Sequence, residues 1–473
     1  MEKLILGYIP TRRTIFSVPD AIKFNKLIRE KLEEYTDRIE IVGIEDINEE
    51  GLIVDNIRDV EAIIHKMKVN KVDAIFIPHC NFGTEDSVAR IAREVGKPTL
   101  LWGPRDEAPL PDGQRLRDTQ CGMFATGKVL RRFGVKFTYI TNSTLDSEVF
   151  ARGFDNFIRA ANVVKHFKKT RILQIDTRPA GFWSVICNEG ELLEKFGIET
   201  HPISLTELEM KTKALEAENS DELKATVADI KKKINCQGVE EKYIIRVAAM
   251  KLAMKSFADE YQCNCAAIQC WNAMQDCMDI MPCLANGLLT EEGFPVACET
   301  DICGAISSVM AQAATFGQKP AFFADITVRD WDNENGELLF HCGNFPPSLM
   351  TDGKFRTHFT FPSQSQGTGE GEIKGGDISI IRFDGDHGEY SLLMGKAKGY
   401  HGRFSRGSFL WVEVNDWPLW EEKVITGPYI HHAIGIHEYI VPVMYEACKY
   451  LGITPDPVDP EEKEIQAWLR GSK

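Results

Sequence analysis

The sequence contains no long apolar run. None of the hydrophobic stretches in its 473 residues approaches the roughly 18 residues that a transmembrane helix needs. The first residues, MEKLILGYIP, pass directly into a strand-like pattern and lack the basic segment and long apolar core of a secretory signal. We therefore expect a cytoplasmic protein that has no membrane partner.

An excess of basic residues is also missing. The chain has 55 Lys and Arg against 70 Asp and Glu, which gives a formal net charge of -15. Proteins that bind nucleic acids need clustered cations to neutralise phosphates, so nucleic acid is not an expected partner. The segment Gly367-Thr-Gly-Glu-Gly371 has neither the spacing nor the flanking strand and helix of a nucleotide-binding loop.

The cysteines lack the paired spacing of a zinc site. The chain has 13 of them, but Cys263-Asn-Cys265 and the pair Cys298 and Cys303 do not match the common CxxC pattern. The odd count and the missing secretory signal argue against a disulfide framework. We expect mostly buried free thiols.

Alternating strand-like and helix-like segments fill most of the chain. Residues 1–167 repeat this pattern and predict an α/β domain whose parallel sheet is covered on both faces, and residues 168–325 predict a second one. From 326 to 473 the chain is rich in Gly, Pro, Ser and Thr and shows short alternating runs, which indicates a β-rich, barrel-like domain. The predicted fold class is α/β, with two tandem Rossmann-like or flavodoxin-like domains and then the β-rich domain. The Gly-rich stretch Gln366–Gly376 is predicted to be a mobile loop.

Two carboxylates follow consecutive strand-like runs. Glu299 lies just past the run Pro295–Cys298, and Asp325 ends the run Ala321–Ala324. Ligands of open α/β sheets bind beyond the carboxyl ends of the strands, so we expect these acids to converge. The alternative is that Glu299 or Asp301 caps the following helix and that Asp325 is an ordinary loop acid.

Histidines from later segments extend this candidate site. His341 follows Asp325 by a short interval, and the adjacent pair His431-His432 follows a Gly-Pro turn. A lone histidine is more often a hydrogen-bonded structural residue. Two carboxylate ligands with one or two imidazoles, however, suit Mn²⁺, Co²⁺ or a similar divalent ion.

The order of these pieces resembles the L-fucose isomerase family and, more distantly, L-arabinose isomerase. A Glu at a strand end, an Asp in the strand FFAD and a His in the late segment GPYIHH occur in the order of that family. The sequence of two α/β regions and one β-rich region agrees over nearly the whole chain. The turn Pro78–Glu85 also resembles the family's first-domain substrate loop, although this chain has His79-Cys-Asn-Phe82 where the family often carries a tryptophan.

The resemblance implies a metal-dependent aldose–ketose isomerase that acts on a free deoxyhexose, pentose or modified hexose through a cis-enediol. It implies that Glu299, Asp325 and His432 bind Mn²⁺, with Co²⁺ or Mg²⁺ as replacements, and that Glu299 and Asp325 form the acid/base pair. His341 lies where arabinose isomerases supply a fourth ligand. Members are commonly trimers or hexamers with shared active sites, so a homo-oligomer is expected.

Four side chains are candidate contacts to the sugar. Arg12 follows the first strand, Gln269 ends a strand, Trp417 has polar neighbours and a following Pro, and His341 lies near the acids. Gln269 can bond a hydroxyl, and the ring of Trp417 can stack on the apolar face of a sugar. The alternatives are a solvated turn at Arg12 and core packing for Trp417.

Other functions fit the same residues. A hydride shift would use the same ion without a base at C2. Tandem α/β domains also describe non-catalytic sugar-binding or regulatory proteins, which need no metal. A metal-dependent aldolase or hydrolase on the same site is the third alternative.

Overall fold

The computed structural model describes residues 1–53, 57–358 and 364–472. The chain forms two compact units. The first unit is Met1–Lys165 with Tyr445–Gly452 and Glu462–Lys473, and the second unit is His166–Met444 with Ile453–Glu461. Within the described ranges, no helix combines the length and apolar character that crossing a membrane requires.

A parallel sheet forms the centre of the first unit. Its strand order is β2-β1-β3-β4-β5, and every neighbouring pair is parallel. The alternation of strands and helices in this region is therefore confirmed. The elements are β1 (Leu4–Tyr8), α1 (Val18–Leu32), β2 (Ile39–Val42), α2 (Ile57–Val69), β3 (Ala74–Pro78), α3 (Glu85–Val95), β4 (Thr99–Trp102), α4 (Thr119–Arg132), β5 (Phe137–Tyr139) and α5 (Glu148–Lys168).

The second unit begins with a smaller parallel sheet. Its strand order is β7-β6-β8-β9. The elements are β6 (Arg171–Ile175), α6 (Glu189–Phe196), β7 (Glu199–Ile203), α7 (Leu205–Glu218), α8 (Asp221–Lys233), α9 (Glu241–Glu260), β8 (Cys265–Ile268), α10 (Ala273–Met278), α11 (Cys283–Glu291), β9 (Val296–Ala297) and α12 (Ile302–Ala313).

A nine-stranded sheet follows and closes on itself. Its order is β12-β13-β16-β11-β10-β17-β14-β15-β18, and β15 also pairs with β16, which makes the sheet barrel-like. The predicted β-rich C-terminal region is thus confirmed. The elements are β10 (Phe322–Arg329), β11 (Gly336–His341), β12 (Lys354–Thr357), β13 (Gln366–Glu372), β14 (Gly376–Asp386), β15 (Glu389–Tyr400), β16 (Ser408–Glu413), α13 (Trp417–Thr426), β17 (His432–Ile436), α14 (Val441–Leu451), β18 (Thr454–Asp459) and α15 (Glu462–Leu469).

The two sheets of the second unit share one hydrophobic core. Ile268 of β8, Leu284 of α11 and Phe322 of β10 belong to the same buried cluster as Leu410 of β16. The end of the parallel sheet and the strands of the closed sheet are therefore packed around the same core. The predicted boundaries at residues 167 and 325 stay predictions.

The Gly-rich stretch Gln366–Gly376 is a strand and not the predicted loop. Most of it forms β13, which pairs with β12 and β16. Its glycines are needed for close packing: a Cβ at Gly367 would lie 2.3 Å from the carbonyl oxygen of Met281. Gly367 also has a φ of +120°, which side chains disfavour. The glycines therefore allow neighbouring backbone to approach, and they do not indicate mobility.

Glu337 of β11 gives the closed sheet a pH-dependent stability. Its side chain is 2% exposed, and burial, opposed by hydrogen bonds from the backbone, raises its pKa from 4.5 to about 7. The folded chain therefore keeps a proton that the unfolded chain loses. The contribution of Glu337 to the free energy of unfolding is fully favourable below about pH 4.5 and is lost as the pH rises towards about 7.

We expect Glu337→Gln to stabilise the protein above neutral pH, because the amide needs no proton to remain neutral. The gain in the free energy of unfolding should reach up to about 3 kcal/mol at about pH 8 and be small at about pH 4.5. Urea unfolding at both pH values measures it, with Glu413→Gln on the exposed end of β16 as the control. A gain of equal size at both pH values would contradict this explanation.

Candidate metal centre and active site

Glu299 is positioned by a tight turn between β9 and α12. Glu299 and Thr300 both have left-handed backbone, with φ of +53° and +55°. Two hydrogen bonds hold this turn, from the Thr300 N–H to the Ile268 carbonyl at 3.1 Å and from the Asp301 N–H to the Cys298 carbonyl at 3.0 Å. Asp301 then caps α12 by accepting from the Gly304 N–H at 2.9 Å. The capping alternative is therefore correct for Asp301, and Glu299 is left to face the interior.

The two carboxylate oxygens of Glu299 face different groups. Oε1 accepts from the Cys270 thiol and from the Trp271 indole N–H, each at 3.3 Å. Oε2 is turned towards His341 and His432. Within the described residues, Oε2 is a buried atom with no hydrogen-bond partner.

The position of Asp325 in the sequence predicted that it ends a strand of a parallel sheet. This prediction is wrong. Asp325 lies inside β10, which continues to Arg329 and belongs to the closed sheet. The antiparallel register places Asp325 directly opposite His432 of β17 and opposite Phe340 of β11, the residue before His341. Cross-strand pairing therefore brings Asp325 to the histidines.

The acids and imidazoles converge without bonding to one another. His341 Nε2 lies 3.5 Å from Glu299 Oε2 and 3.9 Å from Asp325 Oδ1. His432 Nε2 lies 3.4 Å from Asp325 Oδ1 and 3.8 Å from Glu299 Oε2. These separations exceed the usual range of N–H···O hydrogen bonds. The four side chains thus surround one point.

This donor set fits a divalent cation. Asp325 Oδ1, like Glu299 Oε2, is buried and has no hydrogen-bond partner in the described part of the chain. Two ligands at about 2.1 Å from an octahedral ion lie roughly 3.0 Å apart, so small side-chain movements bring these atoms to coordination distance. Oxygen and imidazole ligands together suit Mn²⁺ and similar ions. His431 Nε2, 3.9 Å from Asp325 Oδ1, lies at the edge of the group.

The electrostatics of the centre favour a positive charge. Burial raises the pKa of Glu299, but the neighbouring His341 and His432 lower it to a net value of about 2. Burial lowers the pKa of His341, but the charges of Asp325 and Glu299 raise it well above its ordinary value. The carboxylates therefore stabilise any cation between them, whether a protonated imidazole or a metal ion.

A buried ion-pair network orients His432. Its Nδ1–H donates to Asp301 Oδ2 at 2.8 Å, which leaves Nε2 free to face Asp325 and Glu299. Asp301 also binds the guanidinium of Arg382, from β14, through both oxygens, and Arg382 in turn binds Asp384 at 2.6 Å. A carboxylate behind a histidine is the arrangement that fixes the tautomer of a metal ligand.

Aromatic rings enclose the centre. The ring of Phe182 stacks on Trp271 with centroids 5.6 Å apart and meets the edge of His432 at 5.5 Å. Phe323 packs against His341 and His432 at 5.2 and 4.8 Å. These apolar neighbours limit water access and strengthen the interactions between the charged groups. Trp271 itself is 36% exposed, so one part of its ring faces outwards.

The remaining predicted contacts lie in different surroundings. Gln269 is half-buried, and its Oε1 accepts from the Trp271 backbone N–H at 2.9 Å. Trp417 belongs to the hydrophobic core and is 7% exposed, as in the alternative interpretation, so little of its ring can meet a sugar. Arg12 belongs to the first unit, where its Nε donates to Glu50 Oε2 at 2.5 Å. Its contact with substrate stays a prediction.

Several residues around Glu299 were given no role in the site from the sequence. Cys270 and Trp271 come directly after Gln269, which was singled out, and their position past a strand was the available signal. Asp301 was considered only as a helix cap. Arg382 lies 81 residues from Asp301 in an ordinary strand pattern, and nothing local marks it.

The known proteins to which this chain is similar are sugar isomerases. Residues 7–168 match the N-terminal domain of the fucose/sulfoquinovose isomerases. A sulfoquinovose isomerase of Priestia aryabhattai is 22% identical over 84% of this chain and 85% of its own length. A sulfoquinovose isomerase of Alkalicoccus urumqiensis is 24% identical over 72% of this chain and 75% of its own length.

These relatives are sugar isomerases, and their similarity extends over most of this chain. The resemblance to the L-fucose isomerase-like family, which the sequence motifs predicted, is confirmed by these matches. Among solved structures, a solute-binding protein of Actinobacillus succinogenes 130z with bound D-allose aligns at 13% identity over 66% of this chain and 92% of its own. The TM-score of this alignment is 0.18.

We expect Asp301→Asn to destabilise the protein, because it removes one charge from a buried ion pair and leaves Arg382 undercompensated. The free energy of unfolding should fall by about 3 kcal/mol. Urea unfolding measures the change. Asp332→Asn, which breaks the exposed pair with Arg403, is the control and should have no measurable effect. Equal stability of Asp301→Asn and the unsubstituted protein would show that the network contributes nothing.

Proposed function

We propose that this protein is a divalent-metal-dependent aldose–ketose isomerase. The observation that carries the proposal is the convergence of four side chains on one point, those of Glu299, Asp325, His341 and His432. Within the described residues, each acid contributes one buried carboxylate oxygen that has no hydrogen-bond partner. Mn²⁺ is the proposed ion, and Co²⁺ or Mg²⁺ are the proposed replacements. The same proposal includes a homo-oligomer, either a trimer or a hexamer.

The proposed chemistry is proton transfer through a cis-enediol. When bound, the ion would polarise the sugar carbonyl and stabilise the negative charge that develops on the enediolate. Glu299 is ionised at neutral pH, since its pKa is about 2, and is the proposed base that removes the proton from C2. Asp325 is its proposed partner, which delivers a proton to the other carbon. Such acid–base assistance contributes roughly 10²–10⁴-fold to a rate.

Aromatic side chains support a sugar as the substrate. Trp271 is partly exposed and donates to Glu299, so its ring face lies beside the reacting groups. The apolar C–H face of a sugar can stack on such a ring. We therefore assign the aromatic substrate wall to Trp271 in place of Trp417. Gln269, which precedes the thiol and indole that contact Glu299, remains the proposed partner of a sugar hydroxyl.

The identity of the sugar is the finer part of the proposal. The relatives are named for sulfoquinovose, a hexose that carries a sulfonate. An anionic hexose is therefore the first substrate to test, followed by the deoxyhexoses and pentoses that the resemblance to L-fucose isomerase suggests. A free aldose rather than a phosphorylated one is proposed, because the sequence carries no phosphate-binding loop.

We expect the metal-stripped protein to be inactive and to form ketose from one of these aldoses after Mn²⁺ is added. The test follows sulfoquinovose, L-fucose, D-arabinose and L-rhamnose by NMR in deuterated water, with and without Mn²⁺. Deuterium at C2 of the recovered aldose would support the enediol. Ketose without deuterium would favour the hydride shift, and no turnover together with no bound metal would favour a non-catalytic sugar-binding protein. Products of lower mass would indicate an aldolase or hydrolase.

Glu299→Gln should lower kcat by at least roughly 10²-fold, because the amide can neither accept the proton nor bind the ion as strongly. The fold should persist, since the amide keeps the shape of the carboxylate.

His432→Ala should lose more Mn²⁺ affinity than His341→Ala, because His432 belongs to both ligand groups of the centre. Metal titration and steady-state kinetics measure these effects, with Glu422→Gln as the surface control. Normal turnover in Glu299→Gln would contradict the assignment.

A further inference from the structure

The Oε1 side of Glu299 carries a group of ligands that the proposed isomerisation does not use. Cys270, Cys298 and Glu299 each direct one ligand atom into a space where all three atoms lie within 4.8 Å of one another. The Cys270 sulfur is 3.3 Å from Oε1. This side is separate from the Oε2 side, which faces the two histidines.

The two thiols are brought together by the parallel sheet. Cys270 follows β8 and Cys298 follows β9, and these strands are neighbours with Ala267 paired to Ala297. Both thiols are buried, with 3% and 0% of their surfaces exposed. The carboxyl ends of adjacent parallel strands therefore place both sulfurs beside Glu299.

Polar groups surround the Cys298 sulfur. The side-chain amides of Asn286 and Asn344 donate to it at 3.5 and 3.4 Å, and both asparagines are themselves buried. Such donors favour the anionic form of sulfur that binds metals. An ordinary buried thiol in an apolar core has no such neighbours. The net pKa values of Cys270 and Cys298 are nevertheless raised, so a metal ion has to displace both thiol protons.

Two sulfurs and one carboxylate oxygen are a soft ligand set. Hard ions such as Mn²⁺ and Mg²⁺ prefer oxygen and imidazole, whereas thiolates select softer ions. In a tetrahedral site with Zn–S bonds of about 2.3 Å, the two sulfurs lie about 3.8 Å apart. The observed spacing is compatible with this geometry after small side-chain movements.

We propose that Cys270, Cys298 and Oε1 of Glu299 form a second metal site, which binds a soft divalent ion such as Zn²⁺ or Cd²⁺. Binding forms two metal–sulfur bonds and releases the two thiol protons to solvent, with no change of oxidation state. Because Glu299 belongs to both centres, a soft ion withdraws it from the neighbouring oxygen-and-imidazole centre and inhibits the enzyme. The inhibition rests on the proposed isomerase function, but the coordination does not.

Cadmium titration of the full-length, metal-stripped protein tests the coordination. Sulfur-to-cadmium charge transfer gives an ultraviolet absorption band, which carboxylates and imidazoles do not produce. We expect Cys298→Ala and Cys270→Ser each to weaken the binding that produces the band by at least roughly ten-fold. Cys448→Ala is the matched control, since Cys448 is equally buried but lies outside the ligand groups, and it should leave the band unchanged.

One result of this titration would overturn the site. A band of the same strength and midpoint in Cys298→Ala and Cys270→Ser would place cadmium on other cysteines. Thermal unfolding checks that each variant is folded, and Cys270→Ser, which keeps a hydroxyl donor for Glu299, decides the matter if Cys298→Ala does not fold.

A second measurement separates this site from the isomerase function. With Mn²⁺ present, Zn²⁺ should inhibit sugar turnover in the unsubstituted protein and in Cys448→Ala, and should inhibit Cys298→Ala at least roughly ten-fold less strongly. Equal inhibition of all three proteins would overturn the link to Glu299. If no sugar turns over but the cadmium band still depends on Cys298, the soft-metal site stands and the proposed function fails.

Discussion

The candidate centre depends on the buried ion pair between Arg382 and Asp301. Each residue is 1% exposed, so both charges have lost their hydration and neither is tolerated without the other. Asp301 uses the same carboxylate to cap α12 and to accept from His432 Nδ1. One pair of charges thus joins α12, β14 and β17, and it directs the free nitrogen of His432 towards the two acids.

The strained turn at Glu299 is tolerated because that network holds the residue after it. Left-handed backbone at two successive residues with side chains costs of order 1–3 kcal/mol each. The turn persists because Thr300 and Asp301 are both bonded to neighbouring segments. In return, the carboxylate of Glu299 is presented with one oxygen towards the histidines and the other towards the thiols. The geometry of both candidate centres therefore follows from the same local conformation.

The sequence predicted which residues meet at the candidate centre better than the reasons for their convergence. Glu299 was found because it follows a short apolar strand, and His432 because it follows a turn. Asp325 was found from a strand end that does not exist, since β10 continues past it and the antiparallel register to His432 is what places it. The partnership of Arg382 with Asp301 joins segments 81 residues apart, and no local pattern encodes such a contact. The stretch Gln366–Gly376 was interpreted as a mobile loop because the packing partner of Gly367, Met281, also lies far away in the sequence.

The family match and the candidate chemistry lie in different parts of the chain. The matched domain, residues 7–168, lies almost entirely in the first unit, whereas Glu299, Asp325 and both histidines lie in the second. The family match therefore falls in a region that supplies none of these four residues. The inference of a shared reaction depends instead on the curated relatives, whose similarity extends over 84% of the chain, and on the geometry of the second unit itself. Substitutions in the second unit are for this reason the direct test of the proposed chemistry. A substitution in the first unit would change which sugar is accepted only if that unit contacts the substrate.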